Sequence, residues 1–386
     1  MKIGIFGGSF DPVHTEHVCM ASSAIDCLGL DKLYVVPAAI PPHKPWKRMT
    51  EDEVRLRALQ IAFDGVKKAE ISRYEIEEKG TSYTYLTCRR FRKLYPSAEL
   101  YFLVGTDMLR DFPTWRYPEE ILQNVMLAVC GRAEEEGWQE KELARFVQLF
   151  QKPFVPITYE GRAVSSTEIR VLLAAGESTQ GMLAPKVEQY LKEKGVYEIA
   201  RAKEALSLES PKRRLHSLRV AFLAASRAPS LGVDERRAII AALFHDCAKN
   251  LEKDSPLLQG FSCDKGVPAP VFHQFSGAYV AHKAFGIEDE EVLDAIRYHT
   301  SGRANMSTLE KLIYLADALE SGRDYDGVEE LRRLFWSKDG LDECLTNSLK
   351  STLAHVEAKG ESPYFLTKEA YEYYQKETEK TNGGNQ

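Results

Sequence analysis

Two periodicities alternate through the first two hundred residues. Short runs dense in β-branched and aromatic residues, KIGIFG, KLYVVPA, AEISRYEI, ELYFLVG, VMLAVC and FVPITY, read as buried strands. Between them VCMASSAIDCLGL, EDEVRLRALQIAFDGV, SYTYLTCRRFRKLY and EEILQNV place apolar residues at helical spacing. This alternation predicts an α/β domain over residues 1–200, with a mostly parallel sheet and right-handed crossovers. From about residue 211 the strand pattern stops. RRLHSLRVAFLAASRA, DERRAIIAALFHDCAKNL, QFSGAYVAHKAFG, EEVLDAIRYHT and STLEKLIYLADALES all read as helices, which predicts an all-α bundle over 211–375. A linker is expected at 201–210, because Ser210-Pro211 suits a helix start. The polar stretch 376–386 reads as a frayed tail.

Bulk numbers narrow the class. A length of 386 residues fits two domains. The net charge of −6 gives no electrostatic case for nucleic acid. No apolar run is long enough to span a membrane, and MKIGIFGGSF lacks the pattern of a secretory signal. The seven cysteines form no C-x-x-C pair, so buried free thiols in a reducing cytoplasm are the expectation. No nucleic acid and no membrane are expected as partners, and a homo-oligomer stands as the alternative to a monomer.

The stretch IFGGSFDPVHTEH carries the first candidate chemistry. A parallel strand that ends in Gly7-Gly8-Ser9 and feeds a helix offers free N–H groups and a positive helix end, both suited to phosphate. His14 and His17, three apart, share one face of the first turn and can donate to phosphate oxygens. Metal ligation or two surface histidines are the alternatives, but no nearby Cys or carboxylate pair completes a ligand set. Farther along, Ser165, Ser166 and Thr167 open a helix, with Arg170 one turn later. An ordinary N-cap needs one hydroxyl; three with an arginine also suit an anion.

GGSFDPVHTEH together with SSTEIR resembles the nucleotidylyltransferases, specifically nicotinate-mononucleotide adenylyltransferase. PPHK (41–44), TSYTYLT (81–87), VGTDML (104–109) and PTWRYPEEIL (113–122) extend the likeness over residues 1–200. The resemblance implies a Rossmann-like fold that joins ATP, carrying Mg²⁺, to nicotinate mononucleotide. It implies His14, His17 and Arg170 as catalytic groups on the ATP phosphates. Gly7, Gly8, Ser9, Phe10, Ser165, Ser166 and Thr167 would hold the nucleotide. Lys44 and Arg132 are implied at the mononucleotide phosphate, Trp115 on the pyridine ring, Thr84 and Tyr85 at the carboxylate, and Asp107 at ribose or a hydrated Mg²⁺. Packing alone is the alternative for Trp115, and an N-cap for Asp107. One position departs from the family pattern: Glu16 stands where the family has glycine between the histidines. Its bulk and charge beside a triphosphate put ATP affinity at issue.

In the helical half, His216, His245, Asp246, His273, His299 and Asp317 each fall in an apolar or helix-end context, where an unpaired polar group is costly. Any one alone reads as a hydrogen-bonded core residue; six in order read as metal ligands, and mixed imidazole and carboxylate donors can serve one or two transition-metal ions, iron, manganese or zinc. The order H…HD…H…H…D, with RRLHSLRVA, FHDCAK, VFHQFSGA, YHTSG and LADALESGRDY, resembles HD-domain phosphohydrolases that cleave diadenosine tetraphosphate symmetrically. That likeness, over about 210–350, implies a dinucleoside polyphosphate substrate, Asp246 as bridging catalytic ligand, Lys249 and Arg323 on substrate phosphate, and Thr300 as a hydroxyl donor.

Overall fold

The computed structural model describes residues 1–42, 49–133, 137–264 and 266–383, with side chains to residue 379. Its chain divides into two compact units. The first comprises Met1–Arg170 and Thr179–Val196, the second Val171–Ser178 and Tyr197–Gln386.

The first unit is built on six parallel strands: β1 Lys2–Gly8, β2 Lys32–Pro37, β3 Ala69–Ile71, β4 Glu99–Gly105, β5 Met126–Arg132 and β6 Val155–Tyr159. Their order is β3-β2-β1-β4-β5-β6. The strand order reverses between β1 and β4, the crevice where open α/β sheets bind ligands. Ile3 and Ile5 of β1, Val36 of β2, and Leu127 and Val129 of β5 are fully buried. These strands are nearly continuous apolar runs because helices cover both faces. The stretch AEISRYEI divides: only Ala69–Ile71 pairs, and Tyr74–Glu78 turns into a short helix. β3 pairs with just Leu33, Tyr34 and Val35, and its chain leaves the sheet although β2 continues to Pro37.

The second unit is helical. Helices Pro211–Arg227, Glu235–Phe244, Ala269–Lys283, Glu290–Arg297 and Thr308–Leu319 surround an apolar core that includes Val220, Leu243, Phe244, Val280, Ile296, Leu312 and Leu315. Val171 and Ala174 belong to this core, although their helix, Ser166–Ala174, starts in the first unit, and Ala175 just after it belongs there too. The expected polar tail is helical over Phe365–Gly383. Tyr374 explains the order: it is 3% exposed, and its hydroxyl accepts the Met306 N–H at 2.6 Å.

Gly131 in β5 is a packing glycine. A Cβ there would lie 2.3 Å from the Trp138 ring. Gly131→Ala is expected to destabilise the first unit by about 1–3 kcal/mol through overpacking. Thermal denaturation followed by tryptophan fluorescence checks this; an unshifted midpoint contradicts it.

Candidate functional site

Because β1 ends beside the switch in strand order, the following turn and the ends of β4 and β5 enclose one cavity of about 590 Å³. Gly7, Gly8, Ser9, His14 and His17 form its phosphate-suited side; Thr84, Asp107, Trp115 and Arg132 line it from other elements. Lys44 lies outside the described residues. Phe10 turns inward instead. It is 1% exposed and packs edge-on against Phe6 and His17. Gly8 is glycine partly for that ring, since a Cβ there would sit 3.0 Å from it.

The two histidines stack with ring centroids 3.6 Å apart. The backbone N–H of His14 donates to His17 Nδ1 at 3.2 Å, which leaves His17 Nε2 as the proton-bearing donor. Burial pushes the His14 pKa down to about 4. Burial, then His14, pushes His17 well below the ordinary value. Both rings are therefore neutral at pH 7, and an anion laid against them supplies the opposite charge that would favour protonation.

The Ser165–Arg170 cluster is engaged with the turn after β1. Ser166 Oγ donates to Pro12 O at 3.1 Å, and the Arg170 guanidinium donates to Asp11 O and to Thr167 Oγ1. Ser165 Oγ accepts the Thr167 N–H at 3.2 Å. These side chains brace the turn from behind and are not among the residues that line the cavity. Tyr85 also lies off the wall, edge-on to Tyr117 with Arg116 over its ring. Trp115 both lines the cavity and packs against Phe102 and Phe112.

Glu16 lines the cavity and is 8% exposed. Its Oε1 accepts the backbone N–H of Arg162 at 2.9 Å, whereas its buried Oε2 has no hydrogen-bond partner. Gly161 makes the room: a Cβ there would lie 2.3 Å from Glu16 Oε2. The carboxylate thus anchors the segment that leads to Ser165. Sequence reading missed this anchor, along with Tyr159, Arg110 and Arg162 in the wall; at a strand end, in a short helix and in a loop, they carry no distinguishing pattern.

In the second unit, all six expected ligands converge. Asp246 Oδ1 lies 3.3 Å from His273 Nε2 and 3.6 Å from His299 Nε2. Its Oδ2 lies 3.5 Å from His245 Nε2. His216 Nε2 approaches Asp317 Oδ1 to 2.9 Å. Three rings are turned inward by their outer nitrogens. His245 Nδ1 contacts Ala242 O at 2.6 Å, His299 Nδ1 contacts Ile296 O at 2.7 Å, and His216 Nδ1 contacts Glu320 Oε1 at 3.1 Å. At His245 and His299 the outer nitrogen donates to a carbonyl, so each Nε2 presents a lone pair to the centre. His216 is held between two carboxylates, and although burial acts to lower its pKa, Asp317 and Glu320 raise it.

Lone pairs facing carboxylates in a buried space need a cation. His216 Nε2, His245 Nε2 and Asp246 Oδ1 are buried without hydrogen-bond partners. Burial pushes His245 down to about 4 and His273 down to about 2, which keeps both rings neutral and able to ligate. His216–His245–Asp317 and His245–Asp246–His299 each bring their ligand atoms within 4.8 Å of one another. The residues fit a divalent metal.

Arg213 and Glu320 were not singled out from sequence. Arg213 donates to Asp246 Oδ2 at 2.9 Å. Glu320 stands three residues after Asp317, and that spacing on a metal-ligating helix was the available signal for it. Lys249 Nζ and Thr300 Oγ1 lie 2.8 and 3.1 Å from His273 Nε2, and Arg323 donates to Asp317 at 2.5 Å.

Comparison with known proteins agrees with this division. A cytidylyltransferase-like family model matches residues 5–172, and an HD domain model matches residues 213–322. A Mycoplasma pneumoniae protein named "Probable nicotinate-nucleotide adenylyltransferase/Ap4A hydrolase" is 31% identical over 83% of this chain and 89% of its own length. One of the same name from Mycoplasma genitalium is 29% identical over 90% of this chain and 97% of its own. A crystal structure from Clostridium acetobutylicum, described as an HD superfamily hydrolase involved in NAD metabolism, is 36% identical. It covers 46% of this chain and 95% of its own, with a TM-score of 0.43.

Glu16→Gly removes a charge-assisted hydrogen bond and puts glycine in a helix, so it is expected to destabilise the first unit by about 1–3 kcal/mol. Glu16→Gln keeps an acceptor for the Arg162 N–H and is expected to lose less than half as much. Equal midpoints for the two variants in thermal melts contradict the anchor.

Proposed function

The chain belongs to the family of nicotinate-nucleotide adenylyltransferase/Ap4A hydrolases, and on that premise we propose how its residues divide the work. It is a bifunctional enzyme with an adenylyltransferase domain and an HD hydrolase domain. The first domain transfers AMP from ATP to nicotinate mononucleotide. The second hydrolyses diadenosine tetraphosphate to two ADP. No described helix is long and apolar enough to cross a membrane; we place the enzyme in the cytoplasm.

The first assignment is carried by the stacked pair His14–His17 at the end of β1. In this reading a phosphate oxygen of the mononucleotide attacks the α-phosphorus of ATP in line. The α–β bridging bond breaks, and pyrophosphate leaves with Mg²⁺. No covalent adduct with the protein is required, so alignment and charge neutralisation supply the catalysis. His17 Nε2–H and the N–H groups of the Gly7–Ser9 turn meet the phosphates as charge moves to the leaving group. Arg132 takes the mononucleotide phosphate and Trp115 the pyridine face. Ser166 and Arg170 hold the Asp11-Pro12 turn in place, with Ser165 and Thr167 supporting them; their part in binding the nucleotide is to keep that turn against the phosphates.

The second is carried by the inward-turned imidazoles around Asp246. His216, His245, Asp246, His273, His299 and Asp317 would hold one or two divalent ions, for which iron is our first choice. Such ions supply Lewis-acid polarisation and lower the pKa of bound water. Asp246 would be shared by such ions, with Arg213 limiting its negative charge, and Lys249, Arg323 and Thr300 would face the substrate's phosphates. The domain limits we assign are 1–200 and 211–375, joined by 201–210.

His17→Ala is expected to lower kcat for adenylyl transfer about 100-fold or more with the far-UV spectrum unchanged. Turnover within about threefold of wild type removes the phosphate role. Asp246→Ala is expected to lose both bound metal and hydrolysis of diadenosine tetraphosphate while adenylyl transfer persists. Metal analysis and both assays on one preparation decide it: retained metal with full hydrolysis defeats the assignment.

A further inference from the structure

Among the described residues Arg55 is the largest fully buried side chain, at 1% exposure, and neither chemistry described above uses it. It stands in helix Asp52–Ala62 of the first unit. Its guanidinium donates to three backbone carbonyls: Nη1 to Ser9 O at 2.8 Å, Nη2 to Ala38 O at 2.8 Å, and Nε to Thr50 O at 3.1 Å. Nη2 also reaches Asp52 Oδ1 at 2.5 Å. None of the three carbonyls lies in a helix or strand. Ser9 is in the turn after β1, Ala38 follows β2, and Thr50 precedes the arginine's own helix.

Two of those carbonyls belong to neighbouring segments of the cavity wall that leave β1 and β2 side by side, just past their last shared backbone bond, Ala38 N–H to Gly8 O at 2.9 Å. Gly7, Gly8 and Ser9 line one side; Ala38, Pro41 and Pro42 line another. The second side is also held at its far end, because the Ala39 N–H donates to Ser82 Oγ and the Ser82 N–H to Ile40 O, each at 2.9 Å. Burying a guanidinium costs heavily unless its donors are paired, and a core that only needed filling would use an aliphatic side chain. A rigid planar fork earns its place where several acceptors must be held at set directions at once.

We propose that Arg55 is a positioning residue for adenylyl transfer: it holds the phosphate turn at Ser9 and the 38–42 side of the cavity at Ala38, where the backbone pairing of β1 with β2 has ended, and so aligns the two substrates for in-line attack. This rests on the reading of the cavity as the transfer site. Lysine keeps the charge but cannot span three carbonyls in one plane. Each substrate still meets its own side of the cavity in Arg55→Lys, so binding changes little while alignment is lost.

The test uses the full-length enzyme, with diadenosine tetraphosphate hydrolysis by the second unit as the control for protein quality. For Arg55→Lys, kcat for adenylyl transfer is expected to fall about 10- to 100-fold, with KM for ATP and for nicotinate mononucleotide each within about threefold of wild type. Asp52→Asn, which leaves the three carbonyl bonds, is expected to stay within about threefold in kcat. Hydrogen exchange in Arg55→Lys is expected to rise at residues 9–13 and 38–41 and not in β1 or β4. A kcat within twofold of wild type overturns the proposal. So does exchange raised across the whole sheet, or loss of the first unit's cooperative melt, which would assign Arg55 to core stability. His17→Ala separates the two readings: if it retains turnover, the cavity assignment fails; if it is inactive while Arg55→Lys is normal, only the role of Arg55 fails.

Discussion

Parallel pairing is the constraint on which the first unit depends. All six strands run the same way, so their carboxyl ends share one edge, and the loops that leave that edge must converge. The reversal of strand order between β1 and β4 opens the crevice there. The turn after β1 then faces the ends of β4 and β5, and residues 8, 107, 115 and 132 line one cavity although the chain between them is long. A turn exposed at such an edge is not self-supporting. Arg170 and Ser166 hold it at Asp11 and Pro12, and Arg55 holds it at Ser9. Buried donors on backbone carbonyls are therefore the scaffold of a site whose phosphate-suited side is glycine, serine and imidazole.

The second unit meets a different demand with similar means. Its helices bury polar atoms that no hydrogen bond satisfies, a cost of order 1–3 kcal/mol each. The arrangement is tolerable because these atoms point at one another around Asp246, where a single kind of guest satisfies several together. Backbone carbonyls and Glu320 orient the rings from outside. Gly277 permits the close packing of helix Ala269–Lys283 on this centre, since a Cβ there would come within 3.1 Å of His245 O. Ligand geometry is thus inherited from helix packing.

The two units share no part of these chemistries among the residues described: the first cavity is lined by residues 6–164, and the metal-ligand groups run from 216 to 317. A phosphate-binding turn tolerates a passing ligand and is kept neutral when empty by the burial of His14 and His17. A metal centre instead completes its own core.

Local chemistry settled what kind of element each segment forms and which residue types gather. The alternation of strand and helix patterns, the GGSFDPVHTEH turn and the HD order are all short-range signals, and short-range sterics and periodicity are what a sequence carries directly. AEISRYEI was misjudged because the point where a chain leaves its neighbour strand is set by tertiary packing, and here it leaves after Ile71 for the helix Tyr74–Glu78; the tail at 376–383 was misjudged because Tyr374, in the same helix, finds its acceptor role 68 residues away. The bracing roles of Arg55, Arg170, Glu16 and Glu320 were invisible for the same reason. Their partners are carbonyls, amides or rings 46, 159, 146 and 104 positions distant, and a backbone group has no sequence identity by which to announce itself. The sequence by itself determined the classes of fold and the chemical inventory of both sites; tertiary structure decided which of those groups face a ligand and which hold the others in place, because that depends on long-range contacts between backbone and side chain.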